Sequence, residues 1–141
     1  MKTKAILFIL ASILIAADRP LHYDLSIVTA ESSLDGRWQI AWIDGQDPKG
    51  TPNANLHYLF DGFALTIVDG TGTVQDTTIR VDTSKRPRTI DIIAHSGSTY
   101  LCIFERNGDD LMISWAFTPG KRPPDFSQST SDHLMKFKRL K

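Results

Sequence analysis

The chain has 141 residues, with 16 basic and 16 acidic side chains, so its formal charge is zero when the histidines are neutral. Nothing in that balance suggests nucleic acid or an anionic membrane as the partner, because proteins that bind them usually carry an excess of Lys and Arg. Cys102 is the single cysteine, so no intramolecular disulfide can form and the domain must be held by its core. The apolar neighbours of Cys102 predict a buried thiol.

Residues 1–17 have the three-part plan of a secretory signal peptide. A basic start precedes an apolar run that ends at Ala17, and Asp18-Arg19-Pro20 follows it. The run is about 13 residues long, whereas a bilayer core requires roughly 20. We therefore expect cleavage after Ala17, no stable membrane insertion, and a secreted or periplasmic protein. Residues 18–33 form a lead-in segment whose pattern predicts no single structure, and 34–141 are expected to form one domain.

From residue 34 onward, short runs of alternating apolar residues are separated by turn-forming residues, which is typical of antiparallel strands. Trp38, Ile40 and Trp42 alternate with other residues and predict a first strand with one buried face. The loop 44–55 ends that strand. Seven further strands are predicted at 57–60, 63–68, 73–82, 89–95, 99–106, 111–117 and 133–140.

Two dipeptides and one long loop indicate how these strands are connected. Asp61-Gly62 and Asn107-Gly108 lie between apolar runs and predict tight hairpins, because such turns need residues that tolerate positive φ. The loop 118–130 is the longest and contains Pro, Gly and Ser. Eight antiparallel strands in hairpin order favour an all-β, up-and-down barrel, which has no exposed sheet edge. A two-sheet sandwich is the alternative.

Six short motifs occur in a fixed order along the predicted barrel. They are Gly36-Arg37-Trp38, Phe60-Asp61-Gly62, a D-x-x-K-x-P-x-x-I-D stretch from Asp82 to Asp91, Gly108-Asp109-Asp110-Leu111, Arg122-Pro123-Pro124-Asp125-Phe126, and the basic segment Lys136 to Arg139. Together they resemble an uncharacterised bacterial family of lipocalin-like domains over residues 34–140. The resemblance implies an eight-stranded, lipocalin-like barrel and no particular activity. One departure is Cys102-Ile103-Phe104, where the family often has Gly-Ile-Tyr.

The Gly-x-Trp motif predicts how one end of the barrel is closed. Gly36 would let the backbone turn in tightly, and Trp38 would plug the barrel end. In lipocalins a basic residue near the last strand commonly packs on this Trp. Arg139 or Lys138 is expected in that place here, and Arg stacks better on an aromatic ring.

The titratable residues form no pattern that indicates catalysis or metal binding. The four histidines are far apart in sequence, and no His, Cys or carboxylate spacing matches a zinc or calcium site. Cys102 lies within a strand without an obvious base, and no nucleophile elbow is present. We therefore expect no catalytic residue, no metal and no cofactor.

Candidate ligand-binding residues come from the aromatic side chains and from one loop. Trp42, Phe60 and Trp115, together with Trp38 and Phe63, would either line a cavity or fill the core, because an eight-stranded barrel has room for side chains or for one small ligand. These candidates are joined by Arg122, which is fixed by the prolines that follow it.

Asp91 is a second charged residue of interest. Its neighbours Ile90 and Ile92 point to the opposite face, so Asp91 is expected to face away from the core. It would pair either with the basic segment Lys85–Arg88 or with Arg122. The pair would tether a loop to the barrel, or Asp91 would anchor a ligand.

Three classes of function follow from these residues. The first is an exported, non-enzymatic and monomeric domain that binds a small apolar ligand in the barrel. The alternative is a protein-interaction or inhibitor module of the cell envelope, acting through the loops 44–55 or 118–130. An enzyme is the third class, and no residue pattern supports it.

Overall fold

The computed structural model describes residues 34–72 and 74–141, which form eight antiparallel strands closed into a barrel. Each strand pairs with its neighbours in sequence, and the last pairs with the first. The strands are β1 (Gly36–Ile43), β2 (His57–Asp61), β3 (Ala64–Val68), β4 (Val74–Asp82), β5 (Arg88–Ile93), β6 (Thr99–Asn107), β7 (Asp110–Ala116) and β8 (His133–Leu140). A short 3-10 helix, Pro52–Asn55, lies between β1 and β2.

The all-β, eight-stranded, up-and-down prediction is confirmed, and the sandwich alternative is wrong. Residues 34–141 cluster as one unit. The predictions of a signal peptide and a lead-in segment fall on residues 1–33 and lie outside the described residues. Along the described ranges, no helix has both the length and the apolar character needed to cross a membrane.

Apolar side chains from all eight strands fill the barrel interior. Each is at most 6% exposed, and full burial of such a side chain stabilises the fold by about 1.5–3 kcal/mol. This core explains how a domain without a disulfide is held together. It consists of Leu34, Trp38, Ile40, Tyr58, Phe60, Leu65, Ile79, Ile90, Ile92, Cys102, Phe104, Leu111, Ile113, Trp115 and Phe137.

A β-bulge interrupts the alternation of β1. Ile40 pairs with Phe137 of β8, but Trp42 pairs with Lys136, so two steps on β1 match one step on β8. The extra residue reverses which side chains face inward. Ile43 packs against the core, whereas Trp42 lies outside with the Lys136 Nζ 4.7 Å from its ring centroid. The prediction that Trp42 shares the buried face is therefore wrong.

The β2–β3 hairpin uses glycine as the first residue of its turn. Asp61 pairs with Ala64, so the loop is Gly62-Phe63. Gly62 has a φ of +58°, which suits a turn with glycine at the first central position. Phe63 was predicted in a strand and as a cavity residue, but it is 81% exposed in this turn. Asn107 likewise pairs with Asp110, so the turn of the β6–β7 hairpin is Gly108-Asp109, one residue later than the predicted Asn107-Gly108.

Trp38 closes the barrel end where β1 begins and β8 ends. Its ring is fully buried, and its Nε1 donates a hydrogen bond to the Leu34 carbonyl at 2.8 Å. The guanidinium carbons of Arg106 and Arg139 lie 5.6 and 5.5 Å from the ring. The prediction of Arg139 on Trp38 is confirmed, and Lys138 instead pairs with Asp110.

Gly36 makes room for that arrangement. Its φ is +128°, and a Cβ at this position would lie 2.8 Å from the Arg139 Nη2. A side chain here would therefore strain the backbone and displace the arginine from Trp38. The glycine of the Gly-x-Trp motif therefore leaves room for the arginine that packs on the tryptophan.

Residues 117–132, here called the outer loop, run along the outside of the barrel. The Ser131 hydroxyl bonds to that of Ser114, whose side chain is fully buried although it points away from the core. Ile103, the neighbour of Ser114 in the β6–β7 ladder, is covered in the same way. The outer loop therefore gives the barrel wall a second, external layer of packing.

Candidate functional site

The outer loop and the β4–β5 loop border an open cleft of about 580 Å³ on the barrel wall, here called the outer cleft. Small-molecule sites commonly have volumes of about 300–1,000 Å³. The cleft is lined by Arg80, Asp82, Lys85, Arg86, Pro87, Thr89, Asp91, Ile103, Arg122, Pro123 and Pro124.

Strand alternation places the charged residues of the cleft outside the barrel. Ile79 and Ile90 point into the core, so Arg80 and Asp91, the next residues along each strand, point outward. Arg80 and Asp91 also lie directly opposite each other in the β4–β5 ladder. Proline residues with fixed φ stiffen both loops that form the remaining walls.

Arg122 is held in place by two short hydrogen bonds. Its Nη2 donates to the Asp91 Oδ1 and its Nη1 to the Cys102 carbonyl, each at 2.6 Å. The Arg122 and Asp91 side chains are only 28% and 17% exposed. The predicted pairing of Asp91 is confirmed for Arg122, and within the described ranges the segment Lys85–Arg88 forms no ion pair with it.

The second carboxylate of the cleft is satisfied within its own turn. Asp82 accepts hydrogen bonds from the Ser84 hydroxyl at 2.6 Å and the Ser84 amide at 2.9 Å. These bonds, assisted by the charges of Lys85 and Arg122, hold the pKa of Asp82 below its ordinary value. Asp82 therefore remains ionised and engaged at neutral pH.

The outer cleft has more positive than negative charge. Its described lining includes four cationic side chains and two carboxylates. The Arg86 Nη1 donates to the carbonyls of Thr83 and Lys85, both at 2.7 Å, so this guanidinium braces its own loop. In the described part of the chain, the side chains of Arg80 and Lys85 form neither an ion pair nor a hydrogen bond. An anionic group entering the cleft would meet these two charges.

The four candidates named from the sequence do not form one site: two belong to the core, one lies outside the barrel and one lines the outer cleft. Phe60 is part of the core, Trp42 lies outside the barrel, and Arg122 lines the outer cleft. Trp115 lies near the barrel end opposite Trp38, with its ring 6.0 Å from that of Tyr100. Its indole Nε1 is buried and has no hydrogen-bond partner.

The sequence did not single out Arg80 and Lys85 as residues that line one cleft. Outward alternation in the strand 73–82 was the available signal for Arg80. That signal says nothing about which outward residues a distant loop will enclose, so it could not separate Arg80 from other exposed strand residues.

Cys102 is buried in the barrel wall, away from solvent. Burial raises the pKa of its thiol to about 12. The thiol is therefore protonated at neutral pH and is a poor nucleophile. Among residues 34–72 and 74–141, no three His, Cys, Asp or Glu side chains lie close enough together to hold a metal ion.

The buried thiol predicts a loss of stability at alkaline pH. The ordinary pKa of 9.0 is raised to about 12 in the folded chain, so the folded state keeps a proton that the unfolded state loses. This stabilisation is fully present below pH 9 and is lost as pH rises towards 12. We expect a loss of about 1 kcal/mol by pH 10. Urea unfolding at pH 7 and pH 10 would measure it.

Cys102→Ala provides the control for this prediction. It removes the thiol titration and leaves Tyr58, whose phenol pKa is also raised by burial. The unfolding free energy of the variant should therefore fall less between the two pH values than that of the parent. An equal fall in both proteins would contradict the assignment to Cys102.

No model of a known protein family, no curated protein and no solved structure matches this chain.

Proposed function

We propose that this chain is an exported, non-catalytic, lipocalin-like domain that binds an anionic group in the outer cleft. One observation carries the proposal: Arg80 and Lys85 line a cleft of about 580 Å³, and in the described structure neither side chain forms a close ion pair or a hydrogen bond. Guanidinium and ammonium groups bind carboxylate and phosphate oxygens through charge-assisted hydrogen bonds. The signal-like pattern of residues 1–17 supports export.

The construction of the cleft favours binding over a merely structural role. Arg122 is fixed by Asp91 and by the Cys102 carbonyl, so it loses little freedom when a ligand arrives. Pro87 and Pro123 stiffen opposite walls. A preformed cleft with unpaired cations is suited to capture an anion, and the outer loop was one of the two loops predicted to contact a partner.

Anion binding to the cleft can be measured with inorganic phosphate and with citrate. In amide NMR titrations, we expect both to shift resonances of β4, β5 and residues 121–124. Arg80→Gln should weaken binding about tenfold, because a hydrogen bond to a charged group contributes about 1.5–3 kcal/mol. Added NaCl should also weaken binding.

Arg37→Gln is the matched control, since Arg37 is another exposed, outward-facing strand arginine and does not line the cleft. Its affinity for both anions should equal that of the parent chain. Equal losses in the two variants, or shifts that avoid the cleft, would overturn the proposal.

A second candidate function is favoured by the unpartnered indole of Trp115. Buried Trp N–H groups normally donate to an acceptor, and this one lies beside the rings of Tyr58, Tyr100 and Phe117. A small apolar ligand with one acceptor atom would satisfy it. Native mass spectrometry of the protein from its own source should then show a retained small molecule, which Trp115→Phe would lose. Ligand-free spectra of the parent would contradict this function.

A further inference from the structure

The register of three strands orders the floor of the outer cleft from charged to apolar. Asp82 on β4 lies opposite Thr89 on β5, Thr89 lies opposite Ile103 on β6, and all three line the cleft. Neighbouring strands are about 4.8 Å apart, so this row spans roughly 10 Å. A ligand that lies across the strands would therefore meet different chemistry at its two ends.

The charges available to a ligand lie at the β4 end of that row. Arg80 belongs to β4 and Lys85 to the loop that follows it, and in the described structure neither side chain forms a close ion pair or a hydrogen bond. At the β6 end the cation is Arg122, whose charge is balanced by Asp91. The two ends of the cleft therefore differ in unpaired positive charge.

Most of the apolar surface of the cleft lies at the β6 end. Ile103 and Pro123 are buried there, and Pro124, the next residue of the outer loop, is exposed. Pro87 on the β4–β5 loop is half-buried and adds a second accessible proline ring. Removing such surface from water is favourable, and proline side chains lose almost no conformational freedom when they are covered.

We propose that the outer cleft binds a small hydrophobic carboxylate, with its carboxylate at Arg80 and Lys85 and its apolar ring against Pro87 and Pro124. The inference rests on the proposed function, because it names the class of anion that the same cleft takes. Inorganic phosphate or citrate would use the cationic end and leave the prolines uncovered. A ring joined to one carboxylate matches both ends of the cleft.

Three probes separate the contribution of the charge from that of the ring. Acetate has the carboxylate without a ring, benzamide has the ring without a charge, and benzoate has both. In NMR titrations we expect benzoate to bind about tenfold more tightly than acetate, because benzoate also covers apolar surface. Benzamide should bind at least tenfold more weakly than benzoate, because it has no charged group to accept hydrogen bonds from the two cations.

The parent chain reports the position of the ring without any substitution. An aromatic ring changes the chemical shifts of the protons that it covers. Benzoate should therefore shift the side-chain protons of Pro87 and Pro124 more than acetate does. Shifts at Trp115 without shifts at these two prolines would place benzoate inside the barrel and would overturn the inference.

Two substitutions test the two ends of the cleft. Pro124→Ser should weaken benzoate binding about threefold to tenfold and leave acetate binding unchanged, whereas Arg80→Gln should weaken both. Pro119→Ser is the matched control, because Pro119 is another exposed proline of the outer loop and does not line the cleft. This control should bind benzoate as tightly as the parent chain. Circular dichroism melts check that each variant is folded.

The outcomes distinguish this inference from the proposed function. If benzoate binds no more tightly than acetate, or if Pro124→Ser and Pro119→Ser change its affinity equally, the hydrophobic-carboxylate inference is wrong and anion binding stands. Benzamide that binds as tightly as benzoate would also overturn the inference, because the carboxylate would then not be recognised. If benzoate, acetate and phosphate all fail to bind, both the inference and the proposed function are wrong.

Discussion

Trp38→Ala is expected to lower the free energy of unfolding by about 3–5 kcal/mol, the range for removing a large aromatic side chain from a core. The ring is fully buried, and its Nε1 bonds to the Leu34 carbonyl. Its loss would also leave the guanidinium groups of Arg106 and Arg139 without the face on which they pack. Urea unfolding with an unchanged m-value would measure the effect.

Trp42→Ala is the control for this prediction, because it removes the same side chain from the same strand. Trp42 lies outside the barrel, and its ring contact is with Lys136. Trp42 is half-buried, so its truncation removes a cation–π contact of about 0.5–1 kcal/mol and part of the burial of the ring, and we expect a loss clearly smaller than that for Trp38→Ala. Equal losses in the two variants, or a loss below about 1 kcal/mol for Trp38→Ala, would contradict the role of Trp38 as the plug of the barrel end.

Arg122→Gln is expected to lower the free energy of unfolding by about 1.5–3 kcal/mol, the contribution of hydrogen bonds to charged groups. The substitution would leave the Asp91 carboxylate, which is only 17% exposed, without its cation. It would also free the Cys102 carbonyl and detach the outer loop at that point. The loss should therefore exceed that of a fully exposed ion pair, which is about 0–1 kcal/mol.

A double-mutant cycle isolates the pairwise part of that loss. Combining Arg122→Gln with Asp91→Asn should give a coupling of about 1–3 kcal/mol, because each substitution removes the same contact. The cycle of Asp91→Asn with Arg88→Gln is the control and should be additive. Additivity in both cycles would show that Asp91 and Arg122 are not coupled in solution.

The Arg122 variant also connects stability with the proposed function. If Asp91 and Arg122 only tether the loop, Asp91→Asn and Arg122→Gln should weaken phosphate binding equally. A variant with full stability and lost anion binding would instead show that Arg122 contacts the ligand itself.

Local features that depend on neighbouring residues could be read from the sequence. Ile90 and Ile92 flank Asp91, and two-residue alternation alone places the isoleucines inside and the aspartate outside. Gly36 and Trp38 predicted the closed barrel end, and the resemblance to lipocalins implied Arg139 or Lys138 as the partner of the indole. The number and order of strands followed from turn residues, because turns are determined by local backbone preferences.

Tertiary structure decided the features that depend on register and on long loops. The bulge in β1 moves Trp42 outside because β8 sets the pairing of that strand, and nothing in β1 itself marks the extra residue. The hairpin turn takes Gly62-Phe63, not Asp61-Gly62, because the register of β2 with β3 selects the turn.

The candidate site shows the same division between local and long-range information. Arg122 and Asp91 were named from the sequence because proline and strand alternation mark them. Arg80 became a cleft residue only because β4 pairs with β5 and the outer loop lies close by. Strand periodicity determined the barrel, because it depends on neighbouring residues. A cleft forms between surfaces that are distant in sequence. Only the packing of the outer loop against the barrel wall therefore decided where the outer cleft lies.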